Sequence, residues 1–162
     1  MIMFQQGRKN ILTDPYKAIP VDACFVLESV DLPAFMNRLT DESSLFKELS
    51  SVKELNRFNL RINYLSGLIN GEEYSRLFEK NTSLVSFHLT GTGSLMPLLV
   101  MNVPAEFRYR HLKGLLSSTV KGTITEKKSR SGSVVCIIYP FLGSSDTLYI
   151  TYNSGLLICS PS

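Results

Sequence analysis

The chain is predicted to be an α+β domain, a mainly antiparallel sheet with helices packed on one face. Three observations point there. Apolar residues recur at spacings of three and four from Leu45 to Leu68, as they do along one side of a helix. Two β-rich runs, "SLVSFHLTG" and "LMPLLVMNV", flank Thr90 to Ser94, a glycine-bearing connection of hairpin length. The last forty residues or so hold four more such runs between short Gly- and Ser-rich turns. With 162 residues, 44% of them hydrophobic and 19% charged, the chain has the length and composition of one globular domain that needs neither a metal nor disulfides to fold.

Taken in order, residues 1–20 read as a tether, because Pro15 and Pro20 exclude a continuous helix, and residues 21–162 as one α+β domain cut short at its C-terminus. "ACFVLES" is a short strand. Asp31 followed by Leu-Pro starts a helix: Asp accepts backbone N–H groups at the N-cap and proline is tolerated in the first turn. A long helix should run from about Ser43 to Ile69, with Leu45, Leu49, Val52, Leu55, Phe58, Ile62, Leu65 and Leu68 on one side. Asn70-Gly71 ends it, and Asn70 with Glu73 makes a capping box for a segment whose face is Tyr74, Leu77 and Phe78. β structure begins at Ser83. "PAEFRYRHLKGLLSS" restores helical spacing through Phe107, His111, Leu112 and Leu115, and a four-strand meander completes the chain.

A formal charge of +3, from 17 Lys and Arg against 14 Asp and Glu, gives no footing for nucleic-acid binding. The positive charge is concentrated between Arg108 and Arg130, whereas Asp146 is the sole charged side chain from Ser131 to Ser162. Strands in that last stretch carry apolar residues on both alternating sets. They need cover on both faces, which predicts self-association as a homodimer through residues 134–158. Cys24, Cys136 and Cys159 lie too far apart for a zinc knuckle and sit in apolar runs, so all three are expected as inert core thiols. No stretch approaches a membrane span or the apolar core of a signal peptide.

Few residues invite chemistry. His88 shares a strand face with Ser86 and Thr90, yet no local motif offers an activating partner or a nucleophile within hydrogen-bond reach, so a structural role is expected. The glycines of "TGTG" precede a strand rather than a helix and therefore read as turn residues, not as a phosphate cradle. Arg108, Arg110 and His111, with Lys113, form a basic helix face. It is the remaining weak candidate for a ligand site beside His88, and Lys127 and Lys128 could extend it. Asp41-Glu42 and Glu72-Glu73 lie at helix starts, where the dipole favours them, and Glu28 stands alone. No catalytic residue, metal site or cofactor is expected.

"AIPVDACFVLES", "SLFKELSSVKELN", "NTSLVSFHLTGTG" and "LYITYNSGLLICSPS" together resemble the opening module of a family of long, uncharacterised bacterial cell-envelope proteins, over about Tyr16 to Ser162. The resemblance implies a membrane anchor ahead of the tether, a periplasmic or surface-exposed location, and a large further chain with which this module packs. The family has no established activity, so no catalytic residues carry over. The function expected is that of a non-enzymatic structural or interaction module in a larger envelope-anchored protein. The alternative is a ligand-binding or hydrolase domain whose site is completed by downstream chain.

Overall fold

The computed structural model describes residues 13–38, 48, 60, 79–91, 93, 95–119, 122–129, 133–141 and 146–161. Seven strands are defined: β1 (Phe25–Asp31), β2 (Glu79–Leu89), β3 (Leu95–Asn102), β4 (Thr123–Lys128), β5 (Val134–Phe141), β6 (Asp146–Asn153) and β7 (Leu156–Pro161). They form one antiparallel sheet in the order β1-β2-β3-β7-β6-β5-β4. Among the described residues the helices with defined bounds are α1 (Leu32–Asn37), α2 (Tyr109–Thr119) and a 3-10 turn at Pro15–Ala18. The fold is thus mostly β. Most of the long apolar-periodic segment and its capping box, residues 43–78, lie outside the described residues, although Glu48 and Leu60 are each helical.

Local chemistry explains the elements. Asp31 caps α1, accepting the Ala34 N–H at 3.0 Å, and Pro33 sits in the first turn where its missing N–H costs nothing. The β2–β3 hairpin closes with Leu89 opposite Leu95, as the sequence predicts, but β2 starts at Glu79, four residues earlier than expected. The β6–β7 turn places Ser154 and Gly155 at φ 50° and 82°, the two left-handed positions of a type I′ hairpin loop. Pro97 is tolerated in β3 because β7 pairs only with Leu99 to Asn102, which leaves Pro97 bonded to one neighbour. Pro140 falls where the β5–β6 register shifts between Ile138 and Phe141.

Alternation along the strands sorts the apolar residues into two clusters. The larger gathers Val85, Phe87, Leu99, Met101, Cys136, Ile138, Leu148, Ile150, Leu157 and Cys159 from the sheet with Leu32 of α1 and Leu112, Leu115 and Leu116 of α2. The smaller, on the opposite strand positions, joins Leu84, Val100 and Leu156 with half-buried Ala18, Ile19, Leu98 and Ile158. Of the segment read as a tether, Thr13 to Pro20 are described: Pro15 is buried, Ile19 packs on the smaller cluster, and the Thr13 hydroxyl donates to Ser154 O at 2.6 Å. Cys136 and Cys159 are core thiols as expected, but Cys24 is exposed, because it stands in the bend that leads into the terminal strand.

Candidate functional site

His88 occupies the penultimate position of β2, and strand alternation puts Ser86 beside it on the face of the smaller cluster. The Ser86 Oγ lies 2.9 Å from His88 Nε2 and donates to Leu98 O at 3.4 Å. The third member comes from the turn before β1. The Cys24 N–H donates to Phe87 O at 2.8 Å, which holds that turn against β2 and places Asp22 Oδ1 3.4 Å from His88 Nδ1.

Asp, His and Ser therefore stand in the connectivity of a hydrolytic triad, an orienting acid on Nδ1 and a hydroxyl on Nε2. Two observations count against that chemistry. Ser86 is 0% exposed, so its oxygen meets no substrate. Its hydroxyl has one proton to give, and Leu98 O at 3.4 Å is a second acceptor that competes with His88 Nε2 for it. The arrangement satisfies polar groups where a turn docks on a strand, and Asp22, 76% exposed, contributes little to it.

The basic candidates are not brought together as an anion site. Arg108 spends its guanidinium on the carbonyls of Ala105 and Phe107, the latter at 2.8 Å. His111 Nδ1 accepts the Arg108 backbone N–H at 3.0 Å, and its ring packs tilted on Phe107 at 5.7 Å between centroids. Since Nδ1 is an acceptor there, neutral His111 carries its proton on Nε2, and the Arg110 Nε 3.4 Å away finds no lone pair. Arg110, Lys127 and Lys128 are exposed.

Sequence reasoning did not find a second polar cluster, between α2 and the β4–β5 pair. The Tyr109 hydroxyl lies 3.5 Å from Cys136 Sγ and also bonds Glu126, whose Oε1 is 3.2 Å from Lys113 Nζ. Burial, with the Cys136 and Glu126 contacts, raises the Tyr109 phenol above its ordinary range. The Tyr109 hydroxyl and the Lys113 ammonium hold the Glu126 carboxyl below its usual value. Burial raises the Cys136 thiol, and the buried Cys159 is pushed up to about 12. Both thiols therefore stay protonated and unreactive near neutrality. A cavity of about 180 Å³ beside the cluster is lined by Lys113, Ser117, Glu126 and Cys136 with Leu116 and Ile124.

Glu28, unexplained by its sequence context, accepts the Tyr16 hydroxyl at 2.7 Å, which raises the Tyr16 phenol and pins the 3-10 turn to β1. Among the described residues no three His, Cys, Asp or Glu side chains converge to hold a metal ion, and no helix is long and apolar enough to cross a membrane. No family model, curated protein or solved structure matches the chain significantly.

Proposed function

We propose that the chain is a non-enzymatic structural or interaction module of a larger protein anchored at the bacterial cell envelope, and that it docks through the sheet face opposite α1 and α2. Both helices contribute to the larger cluster, and on this reading they cover one face only. The observation that carries the proposal is the side-chain row on the other face. Val135, Ile137, Tyr139, Tyr149 and Ile158 occupy alternate positions of β5, β6 and β7 away from the larger cluster, and Tyr139 and Tyr149 are 52% and 40% exposed. These strands are interior to the sheet, so their ladders are already paired and only the face is available. The occupants proposed for it are a second copy of the chain and the remainder of the longer protein, with no nucleic acid involved. The envelope location rests on the family resemblance.

Sedimentation over a wide concentration range tests the face. A monomer–dimer equilibrium should appear and be weakened by Tyr139→Lys with Tyr149→Lys; a strict monomer at high concentration, or a dimer indifferent to both changes, removes the proposal. The Asp22–His88–Ser86 connectivity favours a second reading, a hydrolase or ligand site completed by further chain, but the burial of Ser86 and the competing acceptor Leu98 O favour the first.

A further inference from the structure

The two ends of the sheet differ in how they meet water. A terminal strand presents a row of outward N–H and C=O groups, and natural sheets blunt such an edge with charge, above all lysine. β4, the terminal strand at one end, does so with Glu126, Lys127 and Lys128, all exposed. β1, at the other end, is not blunted in this way. Over the seven residues of "FVLESVD" it exposes Phe25, Val26 and Val30, with charge only at Glu28 and Asp31. Alongside its second half, α1 forms the wall of a cavity of about 560 Å³ lined by Glu28, Val30, Asp31, Ala34, Phe35 and Arg38. That volume lies within the range of roughly 300–1,000 Å³ typical of ligand clefts.

An unblunted edge strand with a helix-walled cleft beside it has the geometry by which domains add a peptide as an extra strand: main-chain bonds supply affinity, and alternate side chains read the neighbouring surface. The side chains of β1 specify what fits. One face presents Val26, Glu28 and Val30; the other presents Phe25, Leu27, Ser29 and Asp31. Apolar residues opposite Val30 and Leu27 and a cation opposite Glu28 and another opposite Asp31 complete every cross-strand pair, since opposite charges attract and like charges repel at that spacing. Among the described residues the cleft lining holds two carboxylates, Glu28 and Asp31, and one guanidinium, Arg38, so that lining is net negative.

We propose that the outer edge of β1 binds an extended, basic peptide segment by strand addition, with the apolar side chain opposite Val30 entering the cleft between β1 and α1. The proposal refines the reading of the domain as an interaction module but uses a surface separate from the Tyr139–Tyr149 face.

The probe is a fluorescein-labelled peptide, Lys-Val-Thr-Lys-Val-Thr-Tyr, titrated with the whole chain by anisotropy. Its comparators are the same sequence with Glu for Lys and a version N-methylated at alternate amides. Binding of the Lys peptide is expected, with about tenfold loss in the Glu peptide from the reversed charge pairs and loss of measurable binding on N-methylation. Glu28→Lys should invert the charge preference. Isosteric Glu28→Gln, which still offers Tyr16 an acceptor, should weaken the Lys peptide without disturbing the fold. Amide shifts should map to Phe25–Asp31 and α1, and Tyr139→Lys should leave binding unchanged, so that failure of the face proposal and of this one are told apart. Equal affinity for the N-methylated peptide, indifference to both Glu28 changes, or a dimer that pairs through β1 in place of the peptide would overturn it.

Discussion

His111 Nδ1 accepts the backbone N–H of Arg108 at 3.0 Å, three residues back, while Arg108 O accepts the His111 N–H at 2.8 Å. With α2 starting at Tyr109, His111 at the third position supplies the side-chain half of a capping box, where glutamate or glutamine is usual, while Arg108, which has no side-chain acceptor, offers only its carbonyl. His111→Gln should therefore keep the cap and stability, whereas His111→Ala should lose about 1 kcal/mol in urea denaturation, as cap losses do. Equal losses in the two variants would show that the ring's packing on Phe107 matters more than its nitrogen.

The same logic separates structure from chemistry at Ser86. Removing its hydroxyl strips a fully buried site of the group that bonds both His88 and Leu98, so Ser86→Ala should cost on the order of 1–3 kcal/mol. His88→Gln retains a polar end and should cost about 1 kcal/mol. Asp22→Asn, at an exposed position, should stay within about 0.5 kcal/mol of the parent. An esterase or amidase activity lost in all three variants at unchanged stability would establish catalysis instead.

Alkaline pH should be the chain's weak side. The folded Cys159 thiol ionises near 12 against an ordinary value of 9.0, and the Tyr109 phenol is likewise raised above its ordinary 10.0. Groups raised in the folded state stabilise it fully below their unfolded pKa and less as pH climbs past that value, because the unfolded chain releases its protons first. Unfolding free energy should accordingly decline from about pH 9 upward, and Cys159→Ala should remove roughly one proton from that slope. A slope unchanged by the substitution would show that Cys159 ionises as readily folded as unfolded.

Backbone conformation alone sets the prediction for the β6–β7 turn. A Cβ on Gly155 meets nothing within 4 Å, so its φ of 82° is the whole obstacle to a side chain. Gly155→Ala should destabilise by about 1–2 kcal/mol. Ser154→Asn, which tolerates the left-handed region better, should raise the melting temperature slightly. A neutral Gly155→Ala would mean that the turn changes type at little cost.

What could be read in the sequence was local. The Asp31-Leu-Pro cap, the Thr90–Ser94 connection and the meander turns announce themselves within a few residues, because side chain, backbone bond and neighbour are all close in the chain. The adjacency of β3 and β7 leaves no such mark, since any apolar strand can pair with any other. The same holds for the site. Ser86 and His88, two apart on one strand, signal a shared face, but Asp22 reaches His88 only because the turn before β1 folds back onto β2. The roles of Arg108 and His111 were hidden for the opposite reason: a cluster of cations suggests a ligand, whereas their partners are carbonyl and amide groups of their own loop.

The seam between β3 and β7 has a further consequence, for the order of events during synthesis. β1, β2 and β3 form one half of the sheet, although β1 reaches β2 across residues 32–78, and β4 to β7 form a second ladder of neighbours joined by short connections. Among the described residues the one ladder between the two halves is Leu99 to Asn102 against Leu156 to Cys159, and β7 is the last of these seven strands to be made. Until it arrives, the free side of β3, with Leu99, Val100 and Met101 all destined for burial, waits on the ribosome without its neighbour. Leu99 and Cys159 are about as far apart in the chain as Phe25 and Phe87, so both ladders close over long stretches; the β3–β7 one, the later of the two, should be a slow step of folding and a stage at which a nascent chain is open to capture by chaperones.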